Sequence, residues 1–415
     1  MGTEPNLRAI VAEAKRKGYY DPEDFPRVRF SQQEVLELMK LLEKKGIPYG
    51  RPEVEVRSLA ELTVKDARRI IDALRKGVPA PEGTAYYSVG RDDLLEGVAG
   101  DLKAVGSGKS LVRFLNADIG QGKTHVLYLL REFAFANDFA VSIVTLSQNS
   151  CPLYDFMMVY NQVMWGLRTD DQRQKPALSN IIDRWIEDIR VLDPARVRQI
   201  VERELPRDLR GIMAAYVDAT NLFRPNETNR QLILKYLGGE KMLLSETRRL
   251  GISFRLDSGN ALQILSEMAT AIRYIGFKGI CILFDEAEAI HSFARLSQKD
   301  QAYANLQQII HQSQRFPHCY FLYATTPSFF DSYGSGWFAR QSGLDTMLEL
   351  EPLSVEERQA IGSKVAKVYA RAMGWEASPN VLKGIHKAAD PTTMERVGDY
   401  VRKTVAILDE ARAKA

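Results

Sequence analysis

The chain has 415 residues, of which 45% are hydrophobic and 26% charged, a composition typical of soluble globular proteins with two or three domains. Its formal net charge of +3 is too small to indicate nucleic-acid binding by itself, so any such contact would have to be local. The three cysteines are far apart and the five histidines form no ligand pair, which argues against a disulfide framework and against a zinc site.

Neither a signal peptide nor a membrane span is indicated. Residues Met1 to Arg8 lack an apolar core, and no apolar run approaches the roughly 20 residues that a transmembrane helix requires. We therefore expect a cytoplasmic protein without a membrane partner.

The first predicted domain, residues 1–78, is a small helical module. Ser31 to Glu34 form a capping box, and a second helix begins near Thr63 with apolar residues at helical spacing. Such modules resemble those appended to DNA-processing proteins, while a packing or partner-binding role is equally compatible with the pattern. The Pro/Gly-rich segment Val78 to Gly83 is the predicted domain boundary.

The stretch with the most specific chemistry is Ala117 to Thr124, Ala-Asp-Ile-Gly-Gln-Gly-Lys-Thr. It follows the apolar run Leu111 to Leu115 and precedes the helical pattern His125 to Ala134, and strand, glycine-bearing loop and helix form a phosphate-binding (Walker A) loop. Lys123 would reach the β- and γ-phosphates, and the Thr124 hydroxyl would bind magnesium. The strict motif has Gly where this chain has Ala117. The predicted nucleotide-binding residues of the loop are Asp118, Ile119, Gly120, Gln121, Gly122, Lys123, Thr124 and His125.

A competing glycine-rich segment, Gly106 to Ser110, reads Gly-Ser-Gly-Lys-Ser. Asp93 to Val105 has the pattern of an amphipathic helix, and no predicted strand precedes the glycines. The segment is therefore predicted to be a helix C-cap and a turn, with Lys109 outside any phosphate site.

Downstream, Phe139 to Leu146 is a predicted strand, and a helix beginning near Pro152 has an aromatic, Met-rich face typical of a core. Residues 168–264 are Arg-rich, balanced by acids and helical in period, which predicts a helical insertion. Its arginines fit either a solvated face with internal ion pairs or a surface that follows a phosphate backbone.

A continuous apolar run from Gly279 to Phe284 predicts a strand buried on both faces, with Asp285 and Glu286 where it emerges. Asp285 suits the surroundings of a magnesium ion, and Glu286 suits the base that polarises an attacking water. Together with the upstream loop, the pair predicts hydrolysis of the nucleotide.

The segment Tyr87 to Leu95, Tyr-Ser-Val-Gly-Arg-Asp-Asp-Leu-Leu, resembles the opening segment of AAA+ and related signalling ATPases. In those proteins this turn packs near the base and ribose of the nucleotide. The resemblance therefore implies an adenine pocket that includes Val89, Gly90 and Arg91.

The strand predicted from Cys319 onward ends in Thr325, Thr326 and Pro327. In the related ATPases, a strand beside the acidic one ends in a polar sensor of the γ-phosphate, and either threonine matches that position; ordinary strand termination at Thr-Pro is the alternative. Arg340, ahead of the short strand Met347 to Leu350, stands where AAA+ proteins have an arginine finger, with an ordinary surface arginine as the alternative.

The last predicted domain, residues 351–415, opens with the capping box of Ser354 and Glu357 and continues as helices, one of them predicted to begin at Asp390-Pro391. It resembles the helical lid of AAA+ and origin-recognition-like ATPases. That resemblance implies a second sensor at Arg396, with Thr392 as a competing match.

Taken together, these segments resemble the ATP-binding proteins of bacteriophage exclusion (BREX) and similar defence islands. The resemblance implies an ATPase that uses ATP and Mg²⁺ in antiviral defence or DNA processing, with DNA or a helicase as partner and with self-association into a homo-oligomer. The predicted architecture is an α/β P-loop NTPase of AAA+ type: the small helical module, a parallel-sheet core over residues 79–350 with the helical insertion, and the helical lid.

Two other functions fit the same residues. One is a nucleotide-gated switch or scaffold with very slow turnover, which steady-state hydrolysis with and without DNA would separate from a motor. The other is a sequence-tolerant DNA-binding module whose ATP site sets affinity, which salt-dependent DNA binding would reveal.

Overall fold

The computed structural model describes residues 38, 40–42, 44–45, 61–173, 175–192, 201, 203, 205, 207–220, 225–252, 255–312, 317–331, 347–392 and 394–415. The chain divides into two compact units, residues 1–58 and 59–415. In the first unit, Leu38 and Leu42 are buried residues of a helical segment. The capping box predicted at Ser31 to Glu34 lies outside the described residues.

In the second unit, five strands of the described residues form one parallel sheet in the spatial order β2-β3-β4-β1-β5. The strands are β1 Leu111–Asn116, β2 Phe139–Thr145, β3 Gly279–Asp285, β4 Cys319–Thr325 and β5 Met347–Glu349. Every residue of β3 and β4 is buried, as expected for parallel strands covered on both faces. The predicted α/β class with a parallel sheet is confirmed.

Helices cover the two faces of the sheet. On one face, Val98 and Leu102 of α2 (Asp92–Gly106) and Val126 of α3 (Lys123–Ala136) pack against Cys281 and Leu283 of β3. The alternating residues of β3 point the other way, toward α4 (Phe156–Gly166) and the helices that follow it. The period of two along a strand thus divides the apolar run of β3 between two cores.

The connection from β2 to β3 is largely helical in its described parts. It contains α5 Leu178–Leu192, α6 Arg207–Ala219, α7 Glu227–Leu237, α8 Leu244–Arg249 and α9 Ala261–Ala271. Arg230 forms ion pairs with Asp183 and Glu227, so this arginine of the segment is engaged internally. The helical segment predicted for residues 168–264 extends to Ala271.

Among the described residues, five helices follow β3 in the chain: α10 Leu296–Gln312, α11 Ser328–Asp331, α12 Val355–Met373, α13 Pro379–Lys387 and α14 Val397–Ala413. The capping box predicted for α12 is present, because Glu357 N donates to Ser354 Oγ and Ser354 N to the Glu357 carboxylate. Among the described helices, none combines the length and apolarity needed to cross a membrane.

The helix predicted near Thr63, α1 (Val64–Arg75), shares an apolar cluster with α12 and α14. Arg75 also pairs with Asp409 of α14. A helix assigned from sequence to the first module therefore packs on the C-terminal helices, and the domain boundaries drawn near Val78 and Glu351 stay predictions.

The helix start predicted at Asp390-Pro391 is wrong. The helix with proline in its first turn is α13, capped by Ser378, and α14 begins only after Arg396. The Asp390 carboxylate accepts hydrogen bonds from Thr392 N and Thr392 Oγ1, a local turn that satisfies the same groups as an N-cap.

Candidate functional site

The strand register decides which side chains meet. Asn116 of β1 lies opposite Thr325 of β4, and β3 ends at Asp285, so the loops that follow these strands share one edge of the sheet. Lys109 lies before β1, at the other edge, roughly 20 Å from the first edge at about 3.3 Å per residue. As predicted, the glycines before Lys109 belong to a helix end and not to a loop after a strand: Gly106 is the last residue of α2, and Gly108 lies in the turn that follows.

The loop between β1 and α3 has two glycines in a left-handed conformation and leads directly into a helix N-terminus. Gly120 and Gly122 have φ values of +88° and +98°, a left-handed conformation that glycine adopts without steric cost. Gly122 is the N-cap of α3, so the free N–H groups of the first helical turn open toward the loop. Ala117 is not among the described residues with positive φ, so the strict motif's glycine is not required there.

Lys123 is buried and already bound within the site. Its Nζ donates to the Ala117 carbonyl at 3.2 Å and lies 3.5 Å from Glu288 Oε1. The second carboxylate oxygen of Glu288 is buried and has no hydrogen-bond partner. The ammonium group that would meet a phosphate is therefore neutralised here by a carboxylate.

Thr124 and Asp285 join the loop to the acidic strand. Thr124 Oγ1 donates to Asp285 Oδ2 at 2.8 Å, and Asp285 Oδ1 accepts from Glu286 N at 3.0 Å. A hydroxyl and a carboxylate are the hard oxygen donors that Mg²⁺ prefers. No group of three or more His, Cys, Asp or Glu side chains suited to a metal occurs among the described residues. The Thr124 hydroxyl and the Asp285 carboxylate nevertheless fit Mg²⁺, which commonly binds through one or two carboxylates plus substrate phosphates and water.

Glu286 occupies an uncommon backbone conformation at the strand end, with φ 58° and ψ 41°. Its side chain is exposed toward the same cleft. Partial burial, together with Glu288 and Asp285, raises the pKa of Glu286, and Lys123 opposes this rise. A carboxylate with a raised pKa is a stronger base than an ordinary one, which is the property a proton acceptor needs.

His125 connects the loop to the segment that begins at Tyr87, which is predicted to bind the adenine base of the nucleotide. Its Nε2 lies 2.6 Å from Ser88 Oγ, and its ring lies 5.1 Å from the ring of Tyr87. Burial, with a smaller contribution from Arg91, lowers the pKa of His125 to about 4, so the imidazole is neutral at pH 7. It contributes hydrogen bonding and an aromatic face to the site and adds no charge.

The three residues predicted for the adenine pocket differ in position. Val89 and Arg91 line the cleft, and Arg91 Nη1 donates to the Glu351 carbonyl at 3.0 Å. Gly90 has φ +67°, and a Cβ atom there would come within 1.9 Å of Glu357 Oε1. Gly90 thus allows the close approach of α12 and does not itself line the cleft.

Arg396, the N-cap residue of α14, packs directly on the loop. A Cβ atom at Gly120 would lie 2.7 Å from Arg396 Cγ, and Val397 N donates to the Gly120 carbonyl at 3.4 Å. Thr392, the competing match, is exposed and bonded to Asp390. Of the two candidates for a second sensor, Arg396 is the one that lies beside the loop, and its sensor role stays a prediction.

The two threonines at the C-terminal end of β4, Thr325 and Thr326, are not among the residues that line the cleft. Thr325 is fully buried and its Oγ1 donates to the Leu115 carbonyl at 3.4 Å. Thr326 Oγ1 lies 2.9 Å from Ser328 Oγ. Arg340, the predicted arginine finger, lies outside the described residues.

These elements surround a cleft of about 470 Å³. One end is polar, with the loop, Glu286, Glu288 and Arg396; the other is largely apolar and is formed by α1, the segment after it, and the C-terminal helices. The residues predicted from sequence that line it are Val89, Arg91, Ile119, Gly120, Gln121, Gly122, Lys123, Thr124, His125, Glu286 and Arg396. Asp118 is exposed outside the lining.

Several lining residues were not predicted from the sequence, among them Glu288, Val78, Pro79, Leu353 and Ile361. Glu288 follows the predicted pair by two positions, yet spacing alone does not reveal which carboxylate turns toward Lys123. The apolar residues come from segments nearly 300 positions apart, and no local pattern links them.

The first prediction tests which of the two lysines, Lys123 or Lys109, belongs to the phosphate-binding loop. Lys123→Ala should weaken ATP binding on the order of 10- to 100-fold, because a charged contact to phosphate is lost. Lys109→Ala, the matched control at the opposite sheet edge, should leave the dissociation constant unchanged. Calorimetric titration with ATP checks both, and an equal loss in the two variants would overturn the choice of loop.

The ion pair of Lys123 with Glu288 gives the second prediction. Glu288→Gln keeps the shape of the side chain but removes the charge that competes with phosphate for Lys123. ATP and ADP should both bind about three- to fivefold tighter, the size of a partly exposed ion pair. Glu240→Gln, at an exposed and distant carboxylate, controls for the change in net charge. Unchanged or weaker nucleotide binding in Glu288→Gln would contradict the idea that Glu288 competes with phosphate for Lys123.

One sequence-family model, described as BREX system ATP-binding protein BrxC/D, matches residues 62–408. No curated protein matches the chain. The matched range begins just before α1 and ends within α14, so it spans the sheet, the phosphate-type loop and every cleft residue named above. The chain belongs to the BREX system ATP-binding protein family, as the resemblance seen in its sequence indicated.

Proposed function

We propose that this ATP-binding protein of a phage-defence system is an ATPase that hydrolyses ATP in the cleft between the loop and the C-terminal helices. Family membership supplies ATP binding and the defence context. The hydrolytic step, the magnesium ion and the roles of individual residues are the proposal.

The polarity of the cleft supports one orientation for the nucleotide. Its phosphates would meet the loop N–H groups and Lys123, while the base and ribose would occupy the apolar end near Val89 and Leu353. The volume of about 470 Å³ lies within the range of about 300–1,000 Å³ usual for small-molecule sites. Neutral His125, with Ser88, would stand between the two ends.

The hydrogen bond from Thr124 to Asp285 is the observation that carries the proposal. It brings the first turn of α3 to the end of β3, so that Lys123 and Glu286 border the same polar space. A Mg²⁺ ion held at Thr124, with Asp285 beside it, would neutralise charge on the transferred phosphoryl group. Glu286 would accept the proton of the attacking water, and its raised pKa suits that role.

Other parts of the proposal rest on the family resemblance. Thr325 or Thr326 would sense the γ-phosphate through β4, and Arg396 would contact it from the C-terminal helices. Arg340 would act as an arginine finger between the subunits of a homo-oligomer. DNA or a helicase would be the partner that couples hydrolysis to defence.

Glu286→Gln separates binding from hydrolysis. The amide keeps the volume of the side chain and cannot serve as the base, so ATP should remain bound while turnover falls at least on the order of 100-fold. Phosphate release under saturating ATP measures turnover, and retention of labelled ATP on the protein measures binding.

Glu351→Gln, at an exposed glutamate outside the cleft lining, is the matched control and should hydrolyse ATP as the wild type does. Wild-type turnover in Glu286→Gln would remove Glu286 as the base. A wild type that binds ATP but shows no turnover, alone or with DNA, would favour the nucleotide-gated switch.

A further inference from the structure

A buried arginine on α12, Arg358, is not among the residues that line the cleft. Arg358 is 2% exposed and is among the largest fully buried side chains of the described residues. Burying a guanidinium is costly unless its donors are satisfied, and arginine does not lose its charge at physiological pH. Its partners therefore show what the side chain is held for.

Among the described residues, the guanidinium of Arg358 donates to two partners, both of them backbone carbonyls of one short segment. Arg358 Nη1 donates to the Met394 carbonyl, and Nη2 donates to the Glu395 carbonyl at 3.0 Å. Burial lowers the pKa of Arg358, while Tyr400 and Asp390 oppose this effect. The planar guanidinium can hold two neighbouring carbonyls at once, which fixes the direction of the peptide between them.

The segment held in this way, Met394 and Glu395, directly precedes Arg396. The next two residues contact the loop, since the stem of Arg396 lies against Gly120 and Val397 N donates to the Gly120 carbonyl at 3.4 Å. A continuous chain of contacts thus runs from α12 through residues 394–395 to the phosphate end of the cleft. Because Gly120 has no side chain, the position of Arg396 depends on how its own backbone is held.

We propose that Arg358 is a positioning residue that, by clamping the carbonyls of Met394 and Glu395, aims Arg396 at the terminal phosphate of bound ATP and so makes the site distinguish ATP from ADP. The inference rests on the proposed phosphate contact of Arg396. Arg358 itself is not among the residues that line the cleft.

The test compares dissociation constants for ADP and for a non-hydrolysable ATP analogue, both with Mg²⁺. Arg358→Met should weaken the analogue about tenfold and leave ADP nearly unchanged, because a charged contact to the terminal phosphate is lost. Arg396→Ala should give the same pattern. The double variant should match Arg396→Ala alone, since Arg358 acts only through Arg396.

Arg371→Met is the matched control, because Arg371 also lies on α12 and donates to a carbonyl, that of Leu62 at 2.8 Å. It should leave the ATP-to-ADP affinity ratio unchanged. If thermal unfolding shows that Arg358→Met does not fold, Arg358→Lys replaces it; a single ammonium cannot reproduce the fork, and a loss of about threefold in the ratio is expected.

A wild-type ratio in a folded Arg358 variant, or additive losses in the double variant, would overturn the inference and reduce Arg358 to a packing role. A wild-type protein that binds ATP and ADP equally would also overturn it, by removing the contact of Arg396. Because no arm measures hydrolysis, these outcomes leave the roles of Glu286 and of the ATPase proposal to be judged separately.

Discussion

Parallel pairing of β1, β4 and β3 is the constraint on which the site depends. It brings the ends of three strands, at Asn116, Thr325 and Asp285, to one edge of the sheet. β4 lies between the other two, so the loop and the acidic strand are separated by about 10 Å at the usual strand spacing of about 4.8 Å. The first turn of α3 spans this gap, and the bond from Thr124 to Asp285 closes it.

Electrostatics follow from this convergence. Lys123, Glu286 and Glu288 line one end of the cleft, and Asp285 lies beside them, bonded to Thr124. Glu288 pairs with the lysine. Burial raises the pKa of Glu286, and the charges of Glu288 and Asp285 add to this rise. If phosphates bound to Lys123, they would replace Glu288 as its ion-pair partner. The negative charge of Glu288 would then act on Glu286 without a paired cation. On this account the same residue moderates nucleotide affinity and increases the basicity of its neighbour.

Much of this arrangement could be predicted from sequence, because its signals are local. Apolar runs predicted the positions of the strands, and the absence of a predicted strand before Gly106 excluded Lys109 from the phosphate-binding loop. What the sequence did not reveal depends on distant contacts: α1 packing on α12 and α14, Glu288 turning toward Lys123, and Arg358 holding the segment before Arg396. The helix predicted at Asp390 was wrong because an Asp-Pro pair fits both a helix start and a turn, and bonds to Thr392 decide for the turn.

The central claim is that the loop at Ala117 to Thr124 and the acidic end of β3 form one nucleotide site, and a structure with Mg²⁺ and a non-hydrolysable ATP analogue tests it most directly. The account predicts that the phosphates lie at the N-terminus of α3 and that Lys123 no longer pairs with Glu288. It also predicts the metal at Thr124 near Asp285, and the adenine base in the apolar end of the cleft. A nucleotide bound elsewhere, or a metal bound away from both Thr124 and Asp285, would contradict it.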